Sequence, residues 1–106
     1  MTDRPLILAA DDDPDILTLI TLSLERAGYE VATAPDGQAA LELARARTPA
    51  MAVLDLSMPL MNGLELTRAL RADPATTTIP IVILTAAVQS SDIDSAREAG
   101  ADAHVK

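Results

Sequence analysis

The chain has 106 residues, with 16 acids against eight bases, a net charge of −8 at neutral pH and no cysteine. That length gives one hydrophobic core and excludes two; the charge excludes electrostatic binding to a nucleic-acid backbone and suits a divalent cation or a basic partner. Lack of cysteine excludes disulfides and thiolate metal sites, leaving oxygen ligands. Nearly half the residues are apolar, which speaks against disorder. Tyr29 is the only aromatic, so the core is aliphatic and no base-stacking platform exists.

The apolar run LILAA (Leu6–Ala10) predicts a buried strand. It is too short for a signal-peptide core, and nothing elsewhere approaches a membrane span, so a cytoplasmic location without membrane partners is expected. Asp13 before Pro14 predicts a helix N-cap with proline at the first helical position. Asp15 in the first turn favours the helix dipole. Ile16, Leu17, Ile20, Leu24 and Ala27 share one helical face, which Leu19 extends; Leu22 lies off it, and Gly28 is the stop.

EVATA (Glu30–Ala34) is the second strand candidate. Asp36 and Gly37 open a second helix with Ala40, Leu41 and Ala44 inward. Residues 50–55 (AMAVLD) form the third strand. The loop LSMPLMNG leads into a helix carrying Leu64, Leu66 and Leu70. RADPATTTIP reads as a polar connection, and residues 80–84 (PIVIL) as the fourth strand. SSDIDSAREAG predicts a helix capped by Ser90 or Ser91 and stopped by Gly100, and ADAHV begins a fifth strand. Alternating strands and helices imply α/β architecture with a parallel sheet.

In such a sheet the carboxyl ends of all strands share one edge, where ligands bind. Asp11 and Asp12 follow the first strand, Asp55 ends the third, Thr85 follows the fourth, and the fifth runs towards Lys106. Three carboxylates at one rim raise one another's pKa unless a cation neutralises them. Mg²⁺ prefers a few carboxylates with waters and phosphate oxygens, and a carboxylate beside it can form an acyl phosphate.

ILAADD, LDLSMPLMNG, PIVILTA and AGADAHV, in that order, resemble the receiver domain of two-component response regulators across essentially the whole chain. The resemblance implies a flavodoxin-like three-layer sandwich with sheet order 2-1-3-4-5. It implies Mg²⁺ (or Mn²⁺)-dependent phosphotransfer from a histidine kinase or histidine phosphotransfer protein onto Asp55. Asp12 would bind the metal directly, Asp11 largely through water, and Ser57 through its backbone carbonyl. Thr85 and Ala86 would contact the phosphoryl group, and His104 falls where the family carries an aromatic switch residue. Ala87 offers no polar group to position water. Turnover would be limited to self-phosphorylation and self-dephosphorylation, with the output passed to a downstream effector.

Lys106 lies six residues after Gly100, against seven for the family's lysine. Either the last turn is one residue shorter or the chain is cut just before that lysine; the second reading is favoured. The family's last helix is then absent, and an uncovered sheet face beside Leu19 or Leu22 would invite self-association. Two other functions fit parts of the pattern. A degenerate receiver would act as a phosphorylation-independent docking module. An aspartate-nucleophile phosphohydrolase would use Asp11, with Asp13 completing D-x-D, although Asp15 replaces the expected threonine or valine.

Overall fold

Leu6 to Ala10 carry apolar side chains on both faces, and all but Leu6 are buried, as the central strand of a parallel sheet requires. The computed structural model describes residues 4–84 and 90–105. This first strand, β1 (Leu6–Ala10), is joined by β2 (Glu30–Ala34), β3 (Met51–Asp55), β4 (Ile81–Leu84) and β5 (Ala103–Val105). All pair in parallel, in the order β2-β1-β3-β4-β5. The connections are α1 (Pro14–Arg26), α2 (Gly37–Arg47), α3 (Gly63–Ala72) and α4 (Ser90–Ala99). No described helix is long and apolar enough to cross a membrane.

The strand pleat divides the apolar residues between two layers. Leu8, Ala10, Ala52, Leu54, Ile81 and Ile83 form one cluster with Leu41 of α2, Leu66 and Leu70 of α3 and Ala96 of α4. On the opposite face α1 lies along Val53 and Leu84, leaving an open apolar groove of about 490 Å³ beside Leu19, Ile20 and Leu24. No residue of α1 is buried. Here the expected stripe is too wide: Leu17, Ile20 and Leu24 are half-buried, whereas Ile16 and Ala27 lie exposed at the helix's two ends. Leu19 and Leu22 are exposed, at 65% and 48%.

Caps follow the expected chemistry. Asp13 accepts the Asp15 N–H at 2.9 Å, and Pro14 opens α1. Asp36 accepts the Ala39 N–H at 2.8 Å. Asn62 and Glu65 form a reciprocal capping box at the start of α3. α4 begins at Ser90, so its cap position precedes the two serines and falls outside the described residues. β4 starts after Pro80, which has no N–H to give the ladder.

The segment 73–80 is less polar in its packing than in its composition. Thr76 is fully buried, its hydroxyl donating to the Leu70 carbonyl at 2.8 Å, and Ile79 is buried beside it. Arg71, at the end of α3, holds this segment. Its guanidinium donates to the carbonyls of Thr77 (2.9 Å), Ile79 (2.6 Å) and Gly100 (2.9 Å), and to the Asp102 carboxylate (2.8 Å). Asp102 in turn accepts the Ile81 N–H at 2.8 Å. One side chain thus joins the entries to β4 and β5. Arg71→Met keeps the stem and deletes these donors, and is expected to destabilise the fold by about 2 kcal/mol. Urea melts measure it; an unchanged midpoint would refute the clamp.

Candidate functional site

Asp11 leaves β1 with its N–H still in the ladder, donating to the Ala34 carbonyl at 3.1 Å. Asp55 is the last residue of β3, in register with Leu84 of β4, and the next N–H, of Leu56, donates to the Leu84 carbonyl at 3.1 Å. Strand pairing therefore holds two carboxylates from distant segments on one edge. Asp12 joins them: ligand oxygens of Asp11, Asp12 and Asp55 all lie within 4.8 Å of one another. Asp11 is buried, Asp55 half-buried and Asp12 exposed.

The chemistry of this donor set suits a hard cation. Burial is the main force raising the Asp11 carboxyl above its usual range, opposed by the Asp13 N–H it accepts at 2.9 Å and reinforced by the charge of Asp12. Asp55 is pushed up to about 6, first by burial and then by the charge of Asp11. The Ser57 N–H offsets part of this, the charge of Asp12 adds to it, and the Leu56 N–H offsets a little more. Three mutually repelling oxygen donors, with neither sulfur nor imidazole in the cluster, fit Mg²⁺ or Mn²⁺. Such an ion would offset both the burial and the mutual repulsion that raise these two carboxyls.

The loop between β3 and α3 closes the rim. Ser57 is exposed two residues after the acidic strand end, and Met58 is buried in the core. Gly63 donates its N–H to the Leu56 carbonyl at 3.0 Å. A Cβ at Gly63 would overlap the Asp55 carbonyl oxygen and approach the Leu56 Cα to 3.0 Å. The Asn62-Gly63 pair reads as turn chemistry in the sequence; its second job, this close approach to the backbone of Asp55, depends on a contact that no local pattern encodes.

The structure thus brings together Asp11, Asp12 and Asp55, with Ser57 adjacent. Thr85, Ala86 and Lys106 lie outside the described residues. His104 belongs to β5, its backbone paired with Ile83 of β4.

Comparison with known proteins gives one consistent picture. The family model described as "Response regulator receiver domain" matches residues 7–106. The DNA-binding response regulator MtrA of Mycolicibacterium smegmatis is 40% identical over 104 residues, covering 98% of this chain and 44% of that protein. The transcriptional regulatory protein CseB of Streptomyces coelicolor is 38% identical over 105 residues, covering 99% of this chain and 44% of that protein. The chain therefore spans less than half the length of these curated relatives. Among solved structures, the chemotaxis protein CheY4 of Vibrio cholerae superimposes with a TM-score of 0.91 at 31% identity, over 96% of this chain and 85% of the other. The receiver domain of a sensor histidine kinase from Pseudomonas aeruginosa gives 0.89 at 28% identity, over 96% of this chain and 84% of the other. That structure carries a magnesium ion coordinated in its active site cleft.

Proposed function

This chain belongs to the response regulator receiver domains, and from that membership we propose that it is a phospho-acceptor switch in which Asp55 takes a phosphoryl group from a histidine kinase or histidine phosphotransfer protein. The observation that carries the proposal is the meeting of Asp11, Asp12 and Asp55 on one strand-end rim. In the proposed step an Asp55 oxygen attacks phosphorus, the P–N bond to the donor histidine breaks, its electron pair leaves with the imidazole, and an acyl phosphate forms. Bound Mg²⁺ would supply positive charge to the transferring oxygens.

This chain's residues have separate tasks in that reading. Asp11, Asp12 and Asp55 would hold the ion, with the Ser57 carbonyl as a further ligand. Asp55 remains mainly ionised above its pKa of about 6, so at neutral pH it is a nucleophile. Asp11 is less suited to that role, being buried with Oδ1 already accepting the Asp13 N–H. Thr85 and Ala86 would meet the phosphoryl group, His104 would respond to it, and Lys106, one position short of the family's lysine, would neutralise it, all by the family pattern. Turnover is limited to the domain's own phosphorylation and hydrolysis, in the cytoplasm. MtrA is named as DNA-binding and CseB as a transcriptional regulatory protein, and a transcriptional effector is proposed here too.

Incubation with acetyl phosphate and Mg²⁺, read by intact mass, tests the acceptor. The wild type is expected to gain one phosphoryl mass, and Asp55→Asn or chelator-treated protein none. Equal incorporation into Asp55→Asn would overturn the assignment.

A further inference from the structure

We propose that Gly37, at the start of α2, is a positioning residue for the acidic site, because its bare Cα seats the strained turn of the loop that carries Ser57. The inference rests on the reading of Ser57 as a metal ligand. The turn is unusual. Met61 donates its N–H to the Pro59 carbonyl at 2.7 Å, and the residue between them, Leu60, has φ +66°. An i to i+2 bond around a positive φ is the rare, strained form of γ-turn, and Leu60 is a branched residue rather than glycine. Leu60 is 82% exposed, so its own packing does not hold the turn. Such strain persists only where the surroundings enforce it.

The enforcing contacts flank Leu60. On the C-terminal side Asn62 is locked into the α3 capping box, and Gly63 is bonded to Leu56. Against the turn itself stands Gly37. A Cβ there would overlap the Met61 carbonyl oxygen and lie 2.7 Å from both its carbonyl carbon and its Cβ. Gly37 cannot retreat, because it is buried and sits in the first turn of α2, which Asp36 caps. Any side chain at position 37 therefore displaces the Met61 backbone, and the loop between Asp55 and Asn62 moves with it. Residues 37 and 61 thereby link α2 to the metal rim without either touching the ion.

Gly37→Ala and a control, Gly28→Ala, separate positioning from general destabilisation. Gly28 also needs its glycine, with φ +99°, but a Cβ there meets nothing within 4 Å. Both variants are expected to melt earlier than wild type. Only Gly37→Ala should shift the loop amides of residues 56–62 in metal-free NMR spectra and weaken Mg²⁺ binding, by about tenfold, as for supporting groups at other metal sites. Gly37→Ala with wild-type loop shifts and affinity would overturn the inference alone. A wild type that does not respond to Mg²⁺ would overturn the metal reading and the inference together. Should Gly37→Ala not fold, Leu60→Gly carries the test. Glycine accepts φ +66° freely, so this variant should melt later, yet exchange its loop amides faster and bind Mg²⁺ more weakly. Wild-type exchange and affinity in Leu60→Gly would count against the proposal equally.

Discussion

Asp55→Asn is expected to stabilise the metal-free domain at neutral pH and to remove half or more of its response to Mg²⁺. In the fold the Asp55 carboxyl sits at about 6, against 3.8 for an ordinary aspartate. Below 3.8 the group is neutral in both folded and unfolded chains. As pH rises, the unfolded chain loses its proton first, so stability falls progressively until the folded carboxyl has also ionised, above about 6. The full shift corresponds to about 3 kcal/mol, which solvent screening of this partly exposed group reduces to about 1–2 kcal/mol. The asparagine variant should therefore melt higher than wild type at pH 7.5 and show a flatter stability profile between pH 4 and 6.

Mg²⁺ reverses the order. An ion at one hundred times its Kd stabilises the folded state by about 2.7 kcal/mol. Losing one of three carboxylates is expected to weaken its binding on the order of tenfold to a hundredfold. Thermal melts of both proteins, with and without Mg²⁺, test both halves. Identical metal-free melting at pH 7.5, or an identical rise with Mg²⁺, would contradict the electrostatic picture.

Gly63→Ala is expected to destabilise the fold by about 3 kcal/mol. The added carbon meets only backbone: the Asp55 carbonyl and the Leu56 Cα. A flexible side chain would swing away, but these atoms are pinned by the ladder bond from Leu56 to Leu84 and by the Gly63 N–H. The strain therefore falls on the strand end that carries the acceptor. Under conditions where the variant remains folded, phosphoryl incorporation from acetyl phosphate should also slow. Urea denaturation together with incorporation rates checks this. A loss below 1 kcal/mol, with a normal rate, would show that α3 can move aside.

The contrast between Asp36 and Gly37 shows what the sequence made legible. Asp36 caps a helix by a bond three residues long, so residue type and spacing suffice to predict it. Gly37 matters because of Met61, 24 positions away, and no local pattern announces that meeting. The carboxylate rim was legible for a different reason. Parallel topology sends every strand's end to one edge, so Asp11 and Asp55 converge once β1 and β3 are recognised as neighbours. RADPATTTIP reads as a polar connection because threonines between prolines are polar by type, and type alone does not show that the Thr76 hydroxyl satisfies the Leu70 carbonyl inside the core. The stripe on α1 was overread for the converse reason: helical periodicity identifies a face but not how much of it finds a neighbour.

That last mismatch has a dynamic consequence. A helix with no buried residue opens to solvent at a smaller free energy than its neighbours, so α1 is the cooperative unit whose amides should trade hydrogen for deuterium ahead of α2 and α3. Asp11 and Asp12 stand immediately before it. Fastening those two acids is therefore expected to raise the free energy for opening α1, which couples occupancy at the rim to the breathing of that helix.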